Sequence, residues 1–233
     1  MCASEKEAFR SAANPPIDSA RDFVEASPVR WFLLTLLSLL LCTNAVVALD
    51  VTNDVVRVAR SFKDGGHYLL KGSGTPEAII FQGHTILPAA TNGTYCSGFT
   101  FAVAMRTASA RGLLKDKTVE QMRHFQREWY GNTSKSAEKQ AGVALQTLGL
   151  GKNVPIDQAR PGDFIQFWRT TKSGHSAVFL GWVMEKARVI GFQYRSSQPG
   201  TDGIGEKVEY FADVPEKKGT VLRARTYIAR LDS

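Results

Sequence analysis

The hydrophobic and polar positions of this chain follow two different periods, and the change comes near Pro155. Before it, apolar residues recur every three or four positions, which is typical of amphipathic helices. After it, apolar residues alternate with polar ones or form short continuous runs, which is typical of β-strands. Helices followed by strands with short connections predict an α+β fold in which N-terminal helices pack on an antiparallel sheet.

Four helices are predicted in the first part of the chain. Asn53 or Asp54 is the expected N-cap of the first helix, and Thr118 and Gln121 have the spacing of a capping box at the start of the third. The segment from Gly66 to about residue 90 is predicted to be loop. The predicted helices cover residues 53–63, 96–114, 118–129 and 134–148.

Five strands are predicted in the second part, where β-branched and aromatic residues are frequent and Gly and Pro separate the apolar runs. The longest begins at His175, directly after Ser173 and Gly174. The predicted strands cover residues 164–168, 175–183, 189–194, 208–211 and 221–230.

The first 48 residues are predicted to be separate from this domain. Residues 1–30 are polar and proline-containing, and we interpret them as a disordered leader. Residues 31–48 carry no charge, follow Arg30 and end in small residues at Ala48, a pattern typical of a signal peptide or a membrane anchor. We therefore expect an exported protein, periplasmic, extracellular or anchored to the membrane, with one catalytic domain over residues 49–233.

Charge and cysteine content narrow the function classes. The chain of 233 residues has 29 Lys and Arg against 22 Asp and Glu, and residues 49–233 hold all of the basic excess. A basic exported domain suits anionic cell-envelope surfaces, and no nucleic-acid-binding motif is present, so nucleic acid is not an expected partner. Of the cysteines, Cys2 and Cys42 precede the domain, which leaves Cys96 as its lone thiol.

Cys96 stands where a reactive thiol is expected. It lies between turn-forming residues and the predicted second helix, so its side chain meets the unpaired N–H groups and positive dipole end of a helix N-terminus. Both favour the thiolate, which is the nucleophilic form. The alternative interpretation is a buried structural cysteine.

A cysteine nucleophile requires a base, and His175 is the best placed of the four histidines. It opens a strongly apolar strand, where a polar side chain at the sheet edge can face a helix N-terminus. The alternative is a histidine that only begins a strand. His67, His84 and His124 are predicted to face solvent.

Hairpin geometry predicts the residue that orients His175. A turn centred at Lys186-Ala187 would place Val183 opposite Ile190 and, further along the ladder, His175 opposite Gln198. Side chains directly opposite each other lie about 4.5–5.5 Å apart, close enough for an amide to hold an imidazole. Gln198 is therefore the first candidate.

Two other residues remain candidates for this role. A turn centred one residue earlier would place Ser196 opposite the imidazole. A still earlier turn would be needed for Gln193, which also lies on the other face of the strand, so we rank it third. All three side chains are neutral, and each would stabilise an imidazolium less than a carboxylate would.

Three blocks of the sequence resemble the signature blocks of the NlpC/P60 cysteine peptidases. These blocks are Tyr95–Phe99, which reads Tyr-Cys-Ser-Gly-Phe, Pro161–Phe167, which begins Pro-Gly-Asp, and Gly174–Gly181, which begins Gly-His. They follow one another in the order of that family. The sequence departs from the family at Tyr95, where the usual residue is Asp, and in a longer hairpin before the third polar residue. CHAP-type amidases are a related alternative on the same fold.

The resemblance implies a papain-like α+β fold and a hydrolase that needs no metal or cofactor. Cys96 would be the nucleophile, His175 the base and then the acid, and the backbone N–H of Cys96 part of an oxyanion hole. Asp163 would have a structural role at a strand-entry turn. The implied substrates are peptide or amide bonds, above all in peptidoglycan peptides. An acyltransferase on the same fold and a non-catalytic exported binding module remain alternatives.

Overall fold

The computed structural model describes residues 54–233. The leader predicted over residues 1–30, the signal or anchor predicted over residues 31–48 and the N-cap candidate Asn53 lie outside the described residues. Within residues 54–233, no helix combines the length and the apolar character needed to cross a bilayer.

The described chain contains four α-helices and nine strands. The helices are α1 over residues 54–61, α2 Cys96–Ala110, α3 Val119–Trp129 and α4 Ala141–Leu148. The strands are β1 Gly65–Gly66, β2 Ile79–Phe81, β3 His84–Leu87, β4 Gly151–Val154, β5 Phe164–Arg169, β6 Gly174–Glu185, β7 Arg188–Gln198, β8 Gly203–Tyr210 and β9 Val221–Leu231.

The capping box predicted for α3 is confirmed. The Thr118 hydroxyl accepts the backbone N–H of Gln121, and the Gln121 side chain accepts the backbone N–H of Thr118. The other helix boundaries were less accurate. Asp54 is already helical and binds Arg111 through its carboxylate, so it is not the N-cap of α1.

Three predicted helices are too long, and the first of them ends at residue 61 rather than 63. The prediction that α2 extends to Leu114 is wrong, because the helix ends at Ala110 and Gly112 follows with a φ of 71°. The fourth helix begins at Ala141 rather than Ser134, because Gln140 has a φ of 34° and the residues before it form turns.

Seven strands form one antiparallel sheet in the order β1-β8-β7-β6-β5-β9-β4. All five predicted strands belong to it, so the antiparallel α+β prediction is confirmed at this level. The two edge strands, β1 and β4, were not predicted because they are short and rich in glycine and polar residues. The predicted loop between Gly66 and residue 90 is wrong in part, since β2 and β3 form a hairpin closed by Gln82 and Gly83.

The sheet buries apolar side chains on both faces. Phe164 and Val178 pack with the helices, whereas Phe167 and Phe179, from the same two strands, join a second apolar cluster. This alternation follows from the two-residue period of a strand. Strands β5 and β6 therefore lie between two packed layers and provide a rigid base for side chains at their ends.

Helix α2 lies in the helical layer with almost all of its sides covered. The predicted apolar positions Phe99, Ala102 and Val103 are buried, but the fourth, Ala110, is exposed. Eleven residues of α2 are buried, among them Phe101, so burial extends around the helix beyond the single apolar face that was predicted.

The first turn of α2 is held by a close backbone approach. A Cβ atom at Gly98 would lie 2.2 Å from the carbonyl carbon of Gly74, so only glycine allows the segment around Gly74 to reach the helix. The Tyr95 N–H donates to the Gly74 carbonyl at 3.2 Å across the same contact. The position of Cys96 therefore depends on Gly98.

Gly98→Ala is expected to lower the free energy of unfolding by about 1–3 kcal/mol, the usual range for overpacking against structure that has to shift. Urea denaturation measures this change. Gly181→Ala is the matched control, because a Cβ atom there meets nothing within 4 Å. Equal stability of the two variants would contradict the close contact.

Candidate active site

Cys96 is the first residue of α2 and is half-buried. Its N-cap, Tyr95, makes no side-chain capping bond, and the first hydrogen bond of the helix runs from the Phe99 N–H to the Tyr95 carbonyl at 3.0 Å. The backbone N–H groups of Cys96, Ser97 and Gly98 therefore come before the first hydrogen bond within the helix. They point toward the helix end at which the thiol lies. This arrangement favours a negative charge on sulfur.

A cleft of about 430 Å³ opens at this helix end. Cys96 and His175 both line it, which brings together the two residues that sequence reasoning selected. Tyr130, Gln166 and Trp168 also contribute to its walls. The cleft therefore lies between the start of α2, the end of α3 and the paired strands β5 and β6.

His175 is the second residue of β6 and is buried, with 5% of its surface exposed. The rings of Phe167 and Tyr194 meet the imidazole edge-on, with centroid distances of 5.4 and 5.6 Å. The two rings restrict how far the imidazole can rotate. Its Nε2 atom lies 3.3 Å from Oε1 of Gln198.

Gln198 is itself held in place. Its Nε2 donates to the Thr201 hydroxyl at 2.9 Å and to the Gly205 carbonyl at 3.3 Å. These two bonds fix the amide so that its oxygen faces the imidazole. Since an amide oxygen only accepts, the proton of neutral His175 belongs on Nε2, and Nδ1 is then the free base.

The β6–β7 hairpin turns at the predicted residues, but its register is less regular than predicted. Lys186 and Ala187 form the turn with φ values of 45° and 64°. Val183 is opposite Gly191, not Ile190 as predicted, because an irregularity follows directly in the ladder. Taken alone, this shift would move the imidazole away from its predicted partner.

A second irregularity reverses the shift. It lies between Phe179 and Gly181, and beyond it Val178 is again opposite Arg195, in the register that the turn position implies. The two irregularities therefore cancel. The contact between the imidazole and the Gln198 amide follows from this restored register.

The other two candidates for the orienting role do not contact the imidazole. The buried Ser196 hydroxyl donates to the Ser176 carbonyl at 2.6 Å. Gln193 is exposed, and its Nε2 donates to Glu206 at 3.2 Å. Ser196 therefore links two strands, and Gln193 belongs to the outer surface of the sheet.

Two opposing effects set the pKa of the Cys96 thiol. Burial favours the neutral thiol, but the charge and hydrogen bond of His175 outweigh it. The Ser176 N–H and the Ser97 hydroxyl contribute further stabilisation of the thiolate. Together they lower the pKa of Cys96 to about 7, so a large share of the thiol is ionised at neutral pH.

Tyr95 stands where the NlpC/P60 family, which the sequence resembles, usually has Asp. Its hydroxyl donates to the Gly72 carbonyl at 3.0 Å, and its ring meets that of Tyr130 edge-on at 6.0 Å. Burial, together with the charge of the Cys96 thiolate, raises the pKa of Tyr95 to about 12. The residue before Cys96 is therefore a neutral phenol that closes one wall of the cleft.

Sequence reasoning missed a buried ion pair behind the imidazole. Arg169 donates to both carboxylate oxygens of Glu209, and the Tyr194 hydroxyl donates to Glu209 at 2.9 Å. Burial raises the pKa of Glu209, but the hydrogen bonds and charge of Arg169 outweigh this and lower it below the ordinary value. No sequence signal joins these residues, because β6 and β7 separate the two strands that carry the pair.

Asp163 lies at the turn that leads into β5 and is 2% exposed. Its carboxylate accepts the Arg160 N–H at 2.9 Å and two bonds from Arg230 at 2.7 and 2.8 Å. The contacts tie this turn to β9. Asp163 does not line the cleft, which agrees with the structural position expected for it.

The remaining histidines lie outside the cleft. His67 is exposed and pairs with Asp202 at 2.9 Å, and His84 is also exposed. His124 is partly exposed, 3.6 Å from Glu128. Within residues 54–233, no group of three or more His, Cys, Asp or Glu side chains is arranged to hold a metal ion.

No protein-family model matches this sequence, and no curated protein is detectably similar to it.

His175→Ala is expected to raise the pKa of Cys96 well above its present value of about 7, because burial would then be opposed only by the Ser176 N–H and the Ser97 hydroxyl. The measurement is the pH dependence of iodoacetamide alkylation in the full chain, followed at Cys96 by peptide mass spectrometry. In the unsubstituted protein the rate should rise through a midpoint near pH 7. A midpoint that does not move in the variant would contradict the thiol–imidazole contact.

Gln198→Ala is expected to slow alkylation of Cys96 at pH 7 by up to about tenfold, the equivalent of one hydrogen bond. The imidazole N–H would lose its acceptor, and the thiolate would lose part of its counter-charge. Ser196→Ala is the matched control on the same strand. It should lower stability without changing the alkylation rate, because within residues 54–233 its hydroxyl binds the Ser176 carbonyl and not the imidazole. The reverse pattern would assign the orienting role to Ser196.

Proposed function

We propose that this chain is an exported cysteine hydrolase that cleaves peptide or amide bonds, with a papain-like site of the NlpC/P60 kind. One observation carries the proposal. A thiol with a pKa of about 7 stands at the start of a helix, in a cleft, beside a buried imidazole that is oriented by the Gln198 amide. A purely structural cysteine has no need of this set of neighbours.

In the proposed reaction, the Cys96 thiolate attacks the carbonyl carbon of the scissile bond. The carbonyl oxygen becomes an oxyanion, which the backbone N–H of Cys96 stabilises. The His175 imidazolium gives its proton to the leaving amine, the C–N bond breaks, and a thioester remains. Water, deprotonated by the neutral imidazole, then attacks the thioester and releases the acid and the thiolate.

The contacts of His175 suit this double role. Gln198 holds the imidazole through Nε2 in both protonation states, because its amide oxygen accepts the same N–H throughout. Nδ1 is then free to exchange the transferred proton. Since Gln198 is neutral, it orients the ring and adds only moderate stabilisation of the imidazolium.

The cleft supports hydrolysis over acyl transfer. An acyltransferase has to keep water from its thioester, which favours an apolar, enclosed cleft. Here polar side chains that suit water share the walls with the aromatic ones; among them are Ser97, Asn132, Gln140, Gln166 and Ser176. The second candidate, an acyltransferase, is therefore less well supported.

The substrate class follows from charge and from the sequence resemblance. The protein is basic, and peptidoglycan peptides within an anionic cell envelope are the proposed substrate. Export from the cytoplasm would bring the enzyme to this substrate. No nucleic acid and no cofactor is part of the proposal.

Cys96→Ala is expected to abolish release of new amino groups from purified peptidoglycan or its cross-linked peptides, a loss of at least about a thousandfold. The full chain is incubated with each substrate, and products are identified by mass spectrometry. Gln193→Ala, exposed and outside the cleft, is the control and should retain full activity.

An added amine acceptor separates the alternatives. Conjugates of the acyl group with ethanolamine, formed in preference to the free acid, would favour the acyltransferase. No cleavage of any peptide or amide substrate, together with a thiol that titrates as an ordinary cysteine, would leave the non-catalytic binding module as the better interpretation.

A further inference from the structure

The wall of the cleft contains a buried amide whose donor has no partner. Gln166 is the third residue of β5, stands directly opposite Ser176 on β6 and is 2% exposed. Its Oε1 lies 2.5 Å from the Ser176 hydroxyl. Its Nε2 is buried and has no hydrogen-bond partner among the described residues.

The Ser176 hydroxyl is the polar group that Gln166 meets on the neighbouring strand. The Ser176 hydroxyl lies 3.0 Å from Oε1 of Gln140 and closer to Oε1 of Gln166. In the structure, Gln166 turns its oxygen toward this hydroxyl, which has one proton to donate. The group of Gln166 that is left without a partner is therefore its Nε2 donor.

Leaving a buried donor without a partner destabilises a protein, so its presence in the wall of the cleft indicates a partner that the substrate supplies. The backbone at Gly174 leaves room for this. A Cβ atom at Gly174 would lie 3.2 Å from Gln166 Nε2, so the missing side chain keeps the donor approachable. Gly174 and Gln166 both line the cleft together with Cys96.

The charge of the cleft agrees with an oxygen acceptor. Among the described lining residues there is no Asp or Glu, and Lys71 is the one Lys or Arg side chain. A substrate amine would therefore meet no carboxylate here. A carbonyl oxygen, by contrast, would meet donors.

We propose that Gln166 Nε2 is a specificity-determining donor that binds a peptide carbonyl oxygen of the substrate, next to the bond that Cys96 attacks. This inference rests on the proposed cysteine chemistry and adds to it a requirement for a peptide-like substrate. The role of Gln166 is in binding, so it should act on affinity and leave the reactivity of the thiol unchanged.

Two alkylating probes test the proposal on the full chain. Acetyl-dialanyl chloromethyl ketone, prepared with L- and with D-alanine, carries peptide carbonyls, and chloroacetone has the same reactive group without them. With both, the thiolate sulfur forms a bond to the methylene carbon as the C–Cl bond breaks and chloride leaves. The ratio of their second-order rates at Cys96, measured by peptide mass spectrometry, reports the contribution of the peptide carbonyls.

Gln166→Met should lower this ratio by about tenfold. The inhibition constant of the peptide probe should rise, while the rate with chloroacetone should stay unchanged. Gln166→Glu keeps the acceptor for Ser176 but replaces the donor by an acceptor. It should therefore weaken binding of the peptide probe at least as much as Gln166→Met does. Gly174→Ala should do the same with Gln166 intact, because the new methyl group covers Nε2. Gln193→Met, on the outer surface, should leave the ratio unchanged.

Several outcomes would overturn the inference. The first is a rate ratio no greater than one in the unsubstituted protein with either alanine form. The second is full retention of the ratio in Gln166→Met. The third is retention of the ratio in Gln166→Glu, which would mean that the amide presents its oxygen to the substrate. A failure of the proposed cysteine chemistry is distinguishable, because chloroacetone itself would then alkylate Cys96 no faster than an ordinary thiol.

Discussion

The contact between the Cys96 thiol and the His175 imidazole is where the helical layer and the sheet meet. The Cys96 sulfur lies at the first turn of α2, and the imidazole lies at the start of β6. Burial alone would favour the neutral thiol. The pair lowers the pKa of the thiol because each group supplies the counter-charge that water would otherwise provide.

Two rigid supports keep this contact in place. On the helix side, Gly98 allows the backbone at Gly74 to approach the first turn of α2, with no side chain between them. On the sheet side, the imidazole lies between two aromatic rings and is held at Nε2 by Gln198. Supports of this kind hold two side chains in a fixed mutual geometry, which the proposed proton transfer would require.

The polar groups near the site are almost all paired, and this makes the exception informative. The Ser196 hydroxyl, the Gln198 amide and the carboxylate of Glu209 are buried, and each has well-placed partners. Gln166 Nε2 has no such partner among residues 54–233. This surplus donor at the cleft wall is the observation behind the proposed substrate contact.

The sequence by itself determined the local features of this protein. The change from helical to strand periodicity, the capping box at Thr118 and the helix start at Cys96 all depend on residues close together in the chain, so local preferences decide them. The turn at Lys186-Ala187 was predicted from the apolar runs on either side of it, since both residues have positive φ values that Lys and Ala rarely adopt. The pairing of the Gln198 amide with the imidazole was also within reach, because a hairpin couples register to turn position.

Only the tertiary structure decided the rest. The two irregularities of the β6–β7 ladder, the short edge strands β1 and β4, and the ion pair of Arg169 with Glu209 are set by packing between distant segments. The unpartnered amide of Gln166 has the same origin, since it reflects what the neighbouring strand and helix leave unsatisfied. Such features follow from the sum of many long-range contacts, and no local pattern of residues encodes that sum.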